Sequence, residues 1–156
     1  MILLRAALAA LVLSCTPLVY AQDRLVCNKH EKLSYGGLRD TELTVQLKNG
    51  QPVSLSYRGY FNATGKMGDG HPCALDLQHG EAVSRWTTTG STTQITFKPD
   101  DDSQDASQLT LTTDGKTLEA EFEVVNDFPY CGGDAEFPVQ LRLDRRGKCT
   151  VTYARD

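Results

Sequence analysis

Residues 128–153 read FPYCGGDAEFPVQLRLDRRGKCTVTY, and the alternation inside this stretch decides the fold class. Val139, Leu141 and Leu143 alternate with Gln140 and Arg142, while Cys149, Val151 and Tyr153 alternate with Thr150 and Thr152. A period of two belongs to strands that bury one face. Both apolar rows fall on odd positions, so a two-residue turn would send them to opposite faces and the connection must hold an odd number of residues. Arg145-Arg146-Gly147 meets that demand as a type I turn closed by a left-handed glycine. Leu143 then faces Cys149, Leu141 faces Val151 and Val139 faces Tyr153, with Cys149 pointing inward.

The same parity test works outward along the chain. Leu43, Val45, Val53, Leu55 and Tyr57 are all odd. Lys48-Asn49-Gly50 supplies an odd loop that pairs Val45 with Val53 and Leu43 with Leu55. By contrast Leu109 and Leu111 are odd but Leu118, Ala120 and Phe122 are even. Asp114-Gly115 as a two-residue turn then pairs Leu111 with Leu118 and Leu109 with Ala120. In the middle, two-residue turns at His79-Gly80 and Gly90-Ser91 set Cys73 opposite Trp86, Leu77 opposite Ala82, Trp86 opposite Ile95 and Ser84 opposite Phe97. Arg24 to Asn28 reads as a short first strand. Successive hairpins without an intervening helical pattern predict an all-β fold. The expected architecture is a small antiparallel meander, a barrel or two-layer sandwich of about eight to ten strands, with the terminal strands close together.

Met1 to Ala21 carries one cation at Arg5, an apolar run from Ala6 to Leu13 and Val19-Tyr20-Ala21 before Gln22. This is the pattern of a cleavable signal peptide, leaving residues 22–156 as a single β domain in the periplasm. A second reading takes Val12-Leu13-Ser14-Cys15 as a lipobox with Cys15 acylated, the only route by which a membrane enters. Four cysteines remain after cleavage, Cys27, Cys73, Cys131 and Cys149, and an exported chain with an even count forms two disulfides in one of three pairings. Proximity along the chain favours Cys131 with Cys149 and Cys27 with Cys73. No C-x-x-C occurs, and an oxidising compartment disfavours zinc, so no metal is expected.

The formal charge of −4 becomes −5 when Arg5 is removed with no acid. That sign argues against nucleic acid and anionic membranes, and it suits either a basic protein partner or simple solubility. The histidines are His30, His71 and His79, all in or near expected loops. There is no nucleophile elbow, zinc-protease helix, phosphate loop or dinucleotide fingerprint, so neither an enzyme nor a cofactor is expected. A cleft joining His71 or His79 to Asp69 would reopen the catalytic reading. Asp100-Asp101-Asp102 with Asp105 lacks the spacing and central glycine of a calcium loop and reads as solvated. Gly65 to Pro72 reads as a mobile connection offering Met67 and His71 to a partner. Asn62-Ala63-Thr64 is a glycosylation sequon, meaningful only in a eukaryotic secretory pathway.

Tyr130-Cys131-Gly132-Gly133-Asp134-Ala135-Glu136-Phe137-Pro138 joins two strands, with tandem glycines between prolines at 129 and 138. It reads as a disulfide-anchored bend, or as an insertion loop that exposes Tyr130, Asp134, Glu136 and Phe137 in a shape set before binding. The signal peptide, the small disulfide-bonded β domain and Cys131 to Phe137 resemble the bacterial envelope inhibitors of c-type lysozyme, whose first motif reads Ser-Gly-x-Gly-Ala-x-Tyr. Gly132, Ala135 and Phe137 match in phase, Cys131 stands where that family has serine and Asp134 where it has glycine. The family's second motif, Tyr-x-x-x-Thr-Lys-Gly, is approached by Tyr60-Phe61-Asn62-Ala63-Thr64-Gly65-Lys66, with the last two residues exchanged and the motif order along the chain reversed. The resemblance implies an exported protein that binds and inhibits a cell-wall-degrading enzyme, as a lysozyme inhibitor or an immunity protein. Its contacts would come from Tyr130, Gly132, Gly133, Asp134, Ala135, Glu136, Phe137, Tyr60, Thr64 and Lys66, against a basic peptidoglycan hydrolase. The residues by themselves equally allow a periplasmic module that binds a glycan, a small ligand or an assembly partner on a sheet face or in a barrel mouth.

Overall fold

A computed structural model describes residues 23–100 and 104–154, so the signal segment, Cys15, Asp101 and Asp102 lie outside the described residues. The described chain forms ten strands: β1 (Asp23–Lys32), β2 (Leu38–Lys48), β3 (Gln51–Asn62), β4 (His71–Gln78), β5 (Ser84–Thr89), β6 (Thr92–Phe97), β7 (Ser107–Thr113), β8 (Thr117–Glu123), β9 (Gln140–Asp144) and β10 (Cys149–Thr152). They make two antiparallel sheets, one in the order β1-β2-β3-β4 and one in the order β10-β9-β8-β7-β6-β5. The expected meander is present, divided into two layers between β4 and β5. Alternation supplies the core: Leu43, Val45, Leu55 and Tyr57 of the first sheet and Ile95, Phe97, Leu109, Leu111, Leu118 and Leu141 of the second are all fully buried. Each such side chain contributes on the order of 1.5–3 kcal/mol through removal from water.

The β9–β10 hairpin has the expected register, with Leu143 opposite Cys149 and Leu141 opposite Val151. Gly147 has a φ of 79° and its N–H donates to the Asp144 carbonyl, closing the three-residue tip. Val139 departs from expectation. It keeps main-chain bonds to Thr152 and Phe122 but is 41% exposed, because the chain bends there to bury Phe137 and Pro138.

Two other hairpins keep their faces but not their registers. Asn49 and Gly50 both have positive φ, 55° and 78°, so this turn has two residues and Lys48 pairs with Gln51. Asparagine–glycine is the pair best suited to such a turn. The parity is restored by a bulge at Gln46/Leu47 that leaves Val53 as the extra residue, and Val45 faces Leu55 instead of Val53. In β7–β8 the Asp114 carboxylate accepts the N–H groups of Lys116 (2.8 Å) and Thr117 (2.7 Å), which moves the tip one residue onward. Leu111 therefore faces Ala120 and Leu109 faces Phe122. A slip of two preserves the buried face, which is why the pattern survives.

Two further expectations are corrected. Residues 79–83 do not form a hairpin turn; they carry the chain between the sheets, so Cys73 lies opposite Gly59 and Leu77 opposite Leu55. Trp86 still faces Ile95 and Ser84 still faces Phe97. The disulfides join Cys27 to Cys149 and Cys73 to Cys131, with Cα separations of 5.5 and 4.0 Å. Proximity in sequence misleads because Cys149 sits at the turn end of its hairpin, whereas Cys131 leads into the far end of β9. The expected closeness of the first and last strands is fulfilled by the Cys27–Cys149 bond itself.

Candidate functional site: the loop between β8 and β9

Residues 124–139 are bound to the edge of β4 by main chain as well as by sulfur. The Asp127 carbonyl accepts N–H groups from Tyr130 (2.9 Å) and Cys131 (2.8 Å), folding the chain so that Cys131 reaches Cys73. On either side of that bond Ala74 N–H donates to the Tyr130 carbonyl and Gly132 N–H donates to the Pro72 carbonyl, each at 2.9 Å. Gly133 follows with a φ of 55°, and a Cβ there would lie 2.5 Å from atoms of the His71 ring. Glycine is required at this point both by backbone shape and by contact.

The second half of the loop is fixed by aromatic packing. Phe137 stacks with Phe122 at 5.8 Å and meets Tyr57 at 5.1 Å and Tyr130 at 5.9 Å, while Tyr130 meets Phe97 at 5.7 Å, all between ring centroids. Such pairs add about 0.5–1.5 kcal/mol each beyond area burial. Phe137 is only 5% exposed and Ala135 is also buried, so neither is presented to a partner as expected from the sequence. Tyr130 is half-buried with its hydroxyl enclosed and, among the described residues, without a hydrogen-bond partner, and burial raises its pKa. These three side chains anchor the loop. Gly133 and Asp134 remain exposed, joined by Val125 at 66% and Phe128 at 86%. Phe128 was missed in the sequence, although an aromatic residue before Pro129 in a segment without alternation is a usable signal.

Beneath the loop, Glu136, Arg39, Tyr57, Tyr60, Phe61 and Tyr153 line a cavity of about 10 Å³, room for one water at most. The buried Arg39 guanidinium sits 3.9 Å from the Tyr153 ring centroid and 5.6 Å from that of Phe61. Tyr153 shares a hydrogen bond of 2.6 Å with Thr41, and burial next to Tyr153 holds the Tyr57 hydroxyl far above its ordinary range. The protein's own side chains fill the space under the loop.

The connection from β3 to β4 adjoins the loop. Asn62 is 2% exposed; its side-chain carbonyl accepts N–H groups of Thr64 (3.1 Å) and Gly65 (2.7 Å), and its amide donates to the Lys66 carbonyl (2.7 Å). An asparagine used in this way leaves the sequon no free amide for a sugar. The Thr64 hydroxyl donates to Asp69 at 2.7 Å, and Tyr60 packs its ring where a Cβ at Gly70 would overlap it. Thr64, Lys66 and Met67 are exposed and Tyr60 is half-buried. The two segments singled out in the sequence, far apart along the chain, therefore adjoin through His71 and Pro72. Neither His71 nor His79 is hydrogen-bonded to Asp69; His79 instead meets Trp86 at 5.9 Å. Among the described residues no group of three or more His, Cys, Asp or Glu side chains is gathered as a metal site.

Charge is segregated along the sequence. From Lys98 to Glu136 the chain carries eleven acids and two lysines, and Glu119, Glu121 and Glu123 fall on one outward face of β8. Neither a protein-family model, nor a curated protein, nor a solved structure matches the chain.

Proposed function

We propose that this is an exported envelope protein that binds and inhibits a cell-wall-degrading enzyme through residues 124–139, as a lysozyme inhibitor or as an immunity protein against a secreted peptidoglycan hydrolase. The observation that carries the reading is the contrast within the loop. Its base is fixed by Cys73–Cys131, by two main-chain bonds to β4 and by Phe137, while Val125, Phe128, Gly133 and Asp134 stand free of the core. A loop ordered before contact loses little conformational entropy on binding, and the exposed Phe128 and Asp134 offer it one apolar and one charged contact. The acidic segment suits a basic enzyme and speeds its approach. Two disulfides belong to an oxidising, extracytoplasmic compartment. The cavity beneath the loop, at about 10 Å³, is itself too small for a ligand.

Titrating residues 22–156 against hen-type lysozyme and a panel of muramidases and amidases tests the proposal. Inhibition at micromolar concentration is expected, weakened about tenfold or more by Asp134→Lys or Phe128→Ala, in line with loss of one energetic contact. No inhibition across the panel overturns it.

A further inference from the structure

Of the four edge strands, β1, β4 and β10 are each tied to another part of the chain. β1 is joined to β10 by Cys27–Cys149 and to the β9–β10 turn by an ion pair of 3.1 Å between Asp23 and Arg145. The edge of β4 carries the bridge to Cys131 and the flanking main-chain bonds. β5 pairs with β6 alone. Lys98 N–H donates to the Val83 carbonyl at 3.1 Å, and the antiparallel alternation then turns the main-chain groups of Arg85, Thr87 and Thr89 toward β6. The amides and carbonyls of Trp86 and Thr88 point the other way, and among the described residues nothing bonds to them.

Exposed edges are normally blunted by proline, lysine or a bulge. Ser84-Arg85-Trp86-Thr87-Thr88-Thr89 has no proline, no lysine and an unbroken register with β6. Its threonines are exposed and favour extended backbone. The groove at the start of the strand is lined by Ala82, Val83, Ser84, Arg85, Thr96 and Lys98, which brings two cations and no acid. Half-exposed Trp86 beside His79 offers a place for one apolar side chain.

We propose that the β5 edge is a second binding site, which takes an extended acidic peptide as an added strand. Main-chain bonds from Trp86 and Thr88 supply affinity, and Arg85 and Lys98 select carboxylates. A second copy of this chain is the poorer occupant: pairing two six-residue edges falls well short of the roughly 1,200–2,000 Å² that a stable dimer buries, and it brings no acids to Arg85 and Lys98.

The test pans a random twelve-residue peptide display library on the folded domain, then measures the enriched peptides by fluorescence of Trp86, the sole tryptophan. Peptides alternating Asp or Glu with β-branched or aromatic residues are expected. Their affinity should fall at least tenfold in Thr88→Pro, which removes an outward N–H without touching the β6 ladder, and in the double variant Arg85→Glu with Lys98→Glu. The charge-reversed variant serves even if the proline variant does not fold. Asp134→Lys should leave binding unchanged. Failure to enrich acidic peptides, or affinity unmoved by either variant, overturns the proposal, as does a dimer that Thr88→Pro dissolves.

Discussion

Cys27–Cys149 ties the first strand to the last, across the seam where the two sheets meet, whereas Cys73–Cys131 ties an edge strand to a loop. The first bond holds regular ladders that already define their own geometry. The second holds a stretch with no ladder of its own, where main-chain bonds to Pro72 and Ala74 and the packing of Phe137 complete the hold. Chemically equal bonds thus do unequal things: one limits how the layers separate, the other sets the shape of a surface.

Replacing each pair by serine separates these roles and gives the largest expected effects. Loop-closure entropy over separations of 122 and 58 residues predicts losses of about 5 and about 4 kcal/mol for Cys27/Cys149 and Cys73/Cys131, read from urea unfolding. The stability losses nearly coincide, but only the Cys73/Cys131 variant should lose hydrogen-exchange protection in residues 130–137 and, among molecules still folded, enzyme inhibition. Equal protection in both variants would erase the distinction. Next in size, Gly133→Ala must place a side chain at φ 55° against the His71 ring, at a cost of about 1–2 kcal/mol confined to the loop. A thermal melt and the His71 ring resonances would register it. Smallest is Tyr130→Phe, which removes an enclosed hydroxyl that has no partner among the described residues and should leave stability unchanged or raise it by up to about 1 kcal/mol. A clear loss would mean that the hydroxyl is bonded after all.

Parity alone marked the faces, but several turn lengths satisfy it, and the register was readable only where no bulge or slip intervenes. Arg145-Arg146-Gly147 is such a case, and the register of β9 with β10 matches it. Lys48-Asn49-Gly50 is not, because a three-residue loop and a two-residue turn with a bulge shift the faces equally, and the intrinsic preference of Asn49-Gly50 decides between them. The crossing at residues 79–83 and both sulfur pairings depend on which strands become neighbours across a seam, and alternation along one strand carries no such information. Between β8 and β9, Gly132 and Gly133 signalled an irregular segment, which the structure has. The inward turn of Phe137 and the outward turn of Phe128 were not legible, since an irregular backbone has no period from which to read a face.

Within each sheet, every ladder joins strands adjacent along the chain, yet the two sulfur links bridge distant parts of it. Hairpins of this kind zip from their tips in microseconds, and covalent thiol oxidation takes seconds or longer. The sheets therefore assemble first and bring the correct cysteines together, so an oxidising catalyst acting on this chain acts as a fixative applied to a shape already reached.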